Sequence, residues 1–327
     1  MAELQLVTGA AGFLGRALVK RLTAAGLPVR CVIRPGADAS RLALPGVELF
    51  RGDLLDPASE AALSGTDRVW HLAALVRPTG LVVGRRALLA RFKAVNEDLP
   101  PRLAAAAARA GVKRFIHFSS IAALGPGEDL RDDAPPAPLT YYGKSKLAGE
   151  RLFRAAAARA GLSHLVLRPC MVYGPGAKSW EPLFDAAARR KVLVPGAAAN
   201  TFSICYVENF LHAALLAAAE APSGAALNVS EGSISMRDLL LTLAAALGRR
   251  PRLISLPIPA LQTVSAALDA ALGLAGLYLP GVMGADPARF REACSSWSHR
   301  CEGLRALGWK PAVSTADGLA ASIGEKL

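Results

Sequence analysis

Val7-Thr8-Gly9-Ala10-Ala11-Gly12-Phe13-Leu14-Gly15 is the stretch on which the reading of this chain turns. It follows a short apolar run, Leu4 to Val7, that reads as a strand. It leads into Arg16-Ala17-Leu18-Val19-Lys20-Arg21-Leu22, whose apolar residues recur at helical spacing. Strand, glycine turn, helix is the context in which such a loop binds a dinucleotide. The glycines let the backbone turn tightly and approach a pyrophosphate, and the new helix offers it free N–H groups and a positive dipole end. The spacing is GxxGxxG rather than the commoner GxGxxG, and taken alone it also fits a plain tight turn.

Working outward, Gly26 stops the first helix and Val29 to Ile33 reads as a second strand. An acid at the end of that strand would hold ribose hydroxyls. Here the sequence runs Ile33-Arg34-Pro35-Gly36, and a guanidinium at that place suits a 2′-phosphate, so NADP is expected over NAD. Val47 to Phe50 is a third strand, with Asp53-Leu54 just beyond its carboxyl end. Val69 to Ala74 is a fourth, finishing in the small residues of Leu72-Ala73-Ala74, where a flat cofactor can approach the backbone. His71 reads as a packed strand residue. Arg77 to Arg91 reads as a loop over the site or a solvated connection. A helix over Asn96–Ala110, a strand over Lys113–Ser119, a helix over Tyr142–Ala160 and a strand over Leu165–Leu167 follow. The alternation predicts an α/β fold with a doubly wound parallel sheet. Residues 1–175 would form the dinucleotide-binding domain, with 200–230 returning to it, and 176–327 the substrate-binding region.

The 327 residues carry a net charge of +12, mostly from arginines spread along the whole length without a basic tail or interleaved aromatics, which argues against nucleic-acid binding. Five scattered cysteines, with no C-x-x-C pair, suit a reducing cytosol and make neither a disulfide framework nor a metal site. The opening residues show no signal peptide, so a cytoplasmic location is expected.

The sharpest catalytic signal is Tyr142-Gly143-Lys144-Ser145-Lys146. Tyr142 and Lys146 are four apart and share one helix face, where an ammonium would lower the pKa of the phenol and make it a usable acid–base group. Ser119-Ser120 ends a strand at the ligand edge of the sheet, where a hydroxyl can hold a substrate oxygen.

These pieces, Thr8-Gly-x-x-Gly-x-x-Gly15, Asp53-Leu54, Leu72-Ala73-Ala74, Asn96, Ser119-Ser120, Tyr142-x-x-x-Lys146 and Arg168-Pro169…Tyr173-Gly174-Pro175, stand in the order found in extended short-chain dehydrogenases/reductases, with their Rossmann-type fold. The resemblance covers about the first two-thirds of the chain. It implies Tyr142 as acid–base, Lys146 as its pKa modifier and ribose contact, and Ser120, rather than Ser119, as donor to the substrate oxygen. It implies Gly9, Gly12, Phe13, Leu14 and Gly15 around the pyrophosphate, Arg34, Asp53 and Leu54 toward the adenosine, and Leu72, Ala73, Ala74, Asn96, Pro169, Met171 and Val172 along the rest of the cofactor. Dimers are common in that family, so a homodimer belongs to the expectation.

Sugar-nucleotide epimerases and dehydratases of this superfamily usually carry Asn where this chain has Met171. The segment Tyr206-Val-Glu-Asn209 instead resembles 3β-hydroxysteroid dehydrogenases, and dihydroflavonol-reductase-like enzymes share the arginine after the second strand. The strongly apolar Ile254–Leu279, with Asp269 its only charge, is expected to form a buried helix pair lining a greasy pocket, with peripheral membrane contact as the alternative. The expected activity is hydride exchange between a nicotinamide and an apolar secondary alcohol. NDP-sugar epimerisation or dehydration is the first alternative, and a non-enzymatic NADP-binding regulator the second.

Overall fold

A computed structural model describes residues 3–76, 82–279 and 284–324. Its centre is a seven-stranded, all-parallel sheet. Its strands in chain order are β1 Gln5–Thr8, β2 Val29–Ile33, β3 Val47–Arg51, β4 Arg68–His71, β5 Arg114–Phe118, β6 His164–Pro169 and β7 Ala226–Val229. They lie in the order β7-β6-β5-β4-β1-β2-β3. In register, Val7 sits between Cys31 and Trp70, and His71 beside His117. The order reverses around β1. The loops leaving β1 and β4 therefore part at their carboxyl ends and open the crevice in which this architecture holds ligands.

Helices cover both faces because the strands are apolar on both. On one side, α3 (Leu99–Arg109) and α4 (Tyr141–Arg159) bury Leu103, Ala107, Phe153 and Ala157 against Phe115 and Val166. On the other, α1 (Phe13–Ala24) and the helix Val207–Glu220 bury Leu18, Leu22, Phe210 and Ala214 against Val7, Cys31 and Phe118. The chain thus returns to the main sheet with Val207–Val229 after leaving it at Pro169. The intervening and following segments build a smaller sheet from Gly127–Leu130, Met171–Tyr173, Thr201–Tyr206, Gly232–Ser235 and Trp297–His299. The C-terminal residues Trp309, Leu319 and Ile323 pack into the main core.

Four elements differ from the sequence reading. β4 ends at His71, so Leu72-Ala73-Ala74 is an extended exit and not strand. The helix expected from Asn96 starts earlier: α2 (Arg85–Phe92) runs through a wide turn over Lys93–Asp98 into α3. Pro100 and Pro101 explain the widening, since neither has an N–H to return to the carbonyls of Asn96 and Glu97. Of the connection expected over Arg77–Arg91, residues 77–81 lie outside the described residues, Val82–Val83 pairs antiparallel with Leu277–Tyr278, and the rest is helical. The fourth difference is the apolar stretch, which forms no buried helix pair. Arg252–Leu256 is a strand beside Lys191–Pro195, and Ile258–Leu274 is one helix with Ser265 its one fully buried residue. Gly276, at φ +68°, follows the helix end and does not divide it. High overall hydropathy implies burial, and it is the fold that leaves most of this helix uncovered.

Candidate active site

The glycine turn is shaped for close approach. Gly9 has φ +70°, and a β-carbon there would stand 2.7 Å from the backbone N of Ala73. A β-carbon on Gly15 would run into Gly9 O and stand 2.7 Å from Ala10 Cα, so the first turn of α1 sits directly on the loop. Gly12 N donates to Gly9 O at 3.0 Å and Gly12 caps α1, with no side-chain cap and no acid in the first turn. The N–H groups of Phe13 and Leu14 open an uncapped helix, a positive end suited to an anion such as a pyrophosphate.

The facing wall, Leu72 to Leu75, is tied down by buried polar groups. Thr8 Oγ1 accepts from Ala73 N at 3.3 Å and stands 2.7 Å from His71 Nδ1, on a ring that burial keeps neutral by pushing its pKa down to about 3. Asn96 is buried, and its amide accepts from Leu75 N and donates to Leu75 O and to Ser145 Oγ, each within 2.9 Å. The side chain expected to touch a cofactor thus holds the wall in place and links it to α4. Asp53 is exposed with its carboxylate accepting from Leu55 N, Leu54 is half-buried, and Arg34 is exposed at the end of β2. Pro169 ends β6, and Met171 and Val172 lead away from it toward the smaller sheet.

α4 carries the catalytic candidates. Thr140 caps it through Gly143 N, and Gly143 lies so close to Ala122 O that no β-carbon fits between them. Ser120 begins the turn after β5, accepts from Ala122 N at 3.1 Å, and shares a hydrogen bond with the Tyr142 phenol. One helical turn on, Lys146 is buried and donates to Phe118 O at 2.6 Å. Burial pushes its pKa down to about 8, against a smaller opposing pull from Glu150. The structure therefore brings Ser120, Tyr142 and Lys146 onto one edge. The lysine ammonium is engaged by the backbone of β5, and the Tyr142 phenol stands above its ordinary pKa. Burial is the main cause, Ser120 and Arg289 oppose it, and Glu292 adds to it.

Several residues outside the sequence-level reading hold this edge. Glu150, four past Lys146 on the same stripe, forms a two-pronged ion pair with Arg168 at the end of β6, and both side chains are buried. That pair clamps α4 to the strand that leads into Pro169–Val172. Glu292, from the helix Pro287–Cys294, is buried, accepts from Thr140 Oγ1 at 2.8 Å and pairs with Arg289 at 2.8 Å. The spacing Tyr142, Lys146, Glu150 could have signalled the first. Nothing local marks Glu292, whose partner is 152 residues away. Around Tyr142 the packing is apolar, with Ile121, Ala122, Phe202 and Trp297 on one side and Leu88 and Phe92 on the other.

A model of the NAD dependent epimerase/dehydratase family matches residues 5–230. The chain is 32% identical over 329 residues to a ceramide reductase of Caulobacter vibrioides, covering 93% of this chain and 95% of that protein. It is 32% identical over 231 residues to a 3 beta-hydroxysteroid dehydrogenase/Delta 5→4-isomerase of Mycobacterium tuberculosis, covering 68% and 62%. Among solved structures, MoeE5 in complex with UDP-glucose and NAD superposes with a TM-score of 0.76 at 28% identity, covering 99% of this chain and 98% of that one.

Proposed function

The chain belongs to the NAD dependent epimerase/dehydratase family and is an NAD(P)-dependent enzyme, and from that premise we propose that it interconverts a ketone and a secondary alcohol on an apolar, steroid-like or comparably lipophilic substrate. The observation that carries this reading is the apolar surround of Tyr142, from Ile121, Phe202 and Trp297 to Met171 and Met236. A polar sugar there would set many of its hydroxyls against these apolar side chains, at a desolvation cost. Two relatives carry names in the same direction, a ceramide reductase and a 3 beta-hydroxysteroid dehydrogenase/isomerase.

The glycine turn from Gly9 to Gly15 and the wall from Leu72 to Leu75 fit a dinucleotide, because glycine at 9 lets the loop backbone lie directly on Ala73 and glycine at 15 lets the uncapped first turn of α1 lie directly on the loop, which leaves backbone N–H groups open to a pyrophosphate. The dinucleotide supplies a nicotinamide that accepts or donates hydride. The protein supplies position and protons. Ser120 holds the substrate oxygen and Tyr142 exchanges a proton with it. The raised phenol keeps Tyr142 protonated, the form that donates to a carbonyl oxygen in the reducing direction. Lys146, fixed on Phe118 O one helical turn from Tyr142, offers a positive charge that stabilises the tyrosinate left by proton donation, which then regains its proton from solvent. Arg34 leaves its guanidinium without a hydrogen bond or ion pair among the described residues, exposed after β2, which supports NADP as the preferred cofactor.

The competing reading, epimerisation or dehydration of a nucleotide-linked sugar, draws on the Arg289–Glu292 pair beside Tyr142 and on the likeness to MoeE5. Purified protein mixed with NADPH or NADH and a panel of hydrophobic ketones and long-chain keto-lipids separates the two. Loss of reduced-nicotinamide absorbance on the lipophilic panel is expected. Silence there, with product formed from UDP-sugars and no net redox change, would replace this reading with the other.

A further inference from the structure

The helix Ile258–Leu274 has its polarity reversed. Its polar inward stripe holds buried Ser265 and half-buried Asp269, beside Leu261 and Leu272. Its outward stripe is Val264, Ala267, Leu268, Ala271 and Leu274, with Val264 64% and Leu274 93% exposed. A solvated helix face ordinarily carries charge. This one carries none along its whole length of about 25 Å.

Exposed apolar side chains continue past both ends. Val83 is held beside the C-terminal end by its pairing with Leu277 and by Gly84 N donating to Gly276 O at 2.9 Å. At the other end, Leu193 points outward from the strand Lys191–Pro195 while Val192 and Val194 point inward.

Basic residues also lie along the segments that flank the helix, on one side at the start of the two strands that lead to it. Arg189-Arg190-Lys191 and Arg249-Arg250-Pro251-Arg252 enter two parallel strands side by side, with Lys191 in register with Arg252. All six basic side chains are exposed, and none of the ion pairs among the described residues engages them. Arg85 and Arg86, both exposed, follow Val83 directly at the far end.

We propose that this face docks on an anionic lipid bilayer, with the helix Ile258–Leu274 lying in the interface and the basic residues of its flanking segments on the headgroups. The chemistry is that of an interfacial helix: an uncharged apolar stripe for the acyl boundary and basic side chains for the phosphates. The helix is not long and apolar enough to cross a membrane. A second copy of the chain is the poorer occupant. A two-fold pair would bring together two chains that each carry +12, with uncompensated arginines on the segments flanking the helix.

The face also lies one helix from the catalytic edge. Gln262 and Ala266 line a groove of about 230 Å³ with Pro287, Phe290 and Arg291. The same helix, Pro287–Cys294, carries Glu292 to Thr140 at the head of α4. The inference rests on the surface alone and holds whichever substrate class is correct.

The test is co-sedimentation of the full chain with vesicles of phosphatidylcholine alone or mixed in equal parts with phosphatidylglycerol. Binding to the mixed vesicles and not to the neutral ones, weakened by salt, is expected. Val264→Glu with Leu268→Glu, and separately Arg249→Glu, Arg250→Glu with Arg252→Glu, should each lower the bound fraction on the order of tenfold or more. All five are exposed positions, and circular dichroism confirms that the variants fold. The proposal is overturned by failure to pellet with the anionic vesicles, by pelleting that is indifferent to Val264 and Leu268, or by light scattering that shows a dimer which the glutamates dissociate.

Discussion

Replacing Lys146 by methionine isolates the energetics of the catalytic edge. The ammonium is buried, donates to Phe118 O at 2.6 Å, and has its pKa pushed from 10.5 down to about 8 by burial. Below about 8 both the folded and the unfolded chain hold the proton, and the folded chain bears a buried charge. Between about 8 and 10.5 the unfolded chain keeps a proton that the folded chain has released, so the lysine's contribution to stability rises with pH across that window. At about 1.4 kcal/mol for each tenfold, the gain amounts to about 3 kcal/mol. Other groups titrate there with the opposite sign, Cys31 among them, its thiol pushed up to about 12. They are present in both proteins, so the difference between them cancels these groups. Urea unfolding followed by the fluorescence of buried Trp70, Trp180 and Trp309 measures it. The stability of the native chain minus that of Lys146→Met should climb by about 3 kcal/mol from roughly neutral pH to pH 10.5. A difference that stays flat, or falls, refutes the reasoning.

Gly15→Ala should weaken both folding and dinucleotide binding, because the new methyl meets backbone at Gly9 O and Ala10 Cα and overpacking of this kind costs about 1–3 kcal/mol; nucleotide titration with native-like affinity would count against the cradle. Glu150→Gln leaves Arg168 buried beside a neutral amide, and a loss of about 3–5 kcal/mol in urea unfolding is expected, whereas less than about 1 kcal/mol would show that the clamp on α4 is dispensable. Arg34→Asp should raise the Kd for NADP well above that for NAD, and equal effects on the two would remove Arg34 from the 2′-phosphate site.

The main sheet was legible because each of its signals is local. Gly9, Gly12 and Gly15 mark the first turn, Gly26, Gly111 and Gly161 follow helix ends with positive φ, and short apolar runs alternate with alanine-rich helices. Ser120, Tyr142 and Lys146 were legible for the same reason, one at a strand end and two at helical spacing. What the sequence withheld depends on partners far along the chain. Asn96 reads as a cofactor contact until Leu75 and Ser145 take up its amide. Glu292 has no local signature, and its role appears only when Thr140 is folded against it. Lys146 lies at the expected spacing, yet where its ammonium points is settled by the carbonyl of Phe118, on another element. In Ile258–Leu274 the expectation that apolar residues face inward points the wrong way, and only the fold shows that Ser265 and Asp269 lie inward and Val264 and Leu268 outward.

The central claim is that Tyr142 exchanges the proton that accompanies hydride transfer at this site. Tyr142→Phe removes one oxygen and keeps the ring packed against Ile121, Ala122 and Phe92. Turnover of the best lipophilic ketone from the panel, measured beside NADPH binding by fluorescence titration, tests the claim directly. A loss of about a hundredfold or more in kcat with the Kd for NADPH nearly unchanged is the expected result. Turnover retained within a few-fold would contradict the assignment of the tyrosine and, with it, the proposed chemistry.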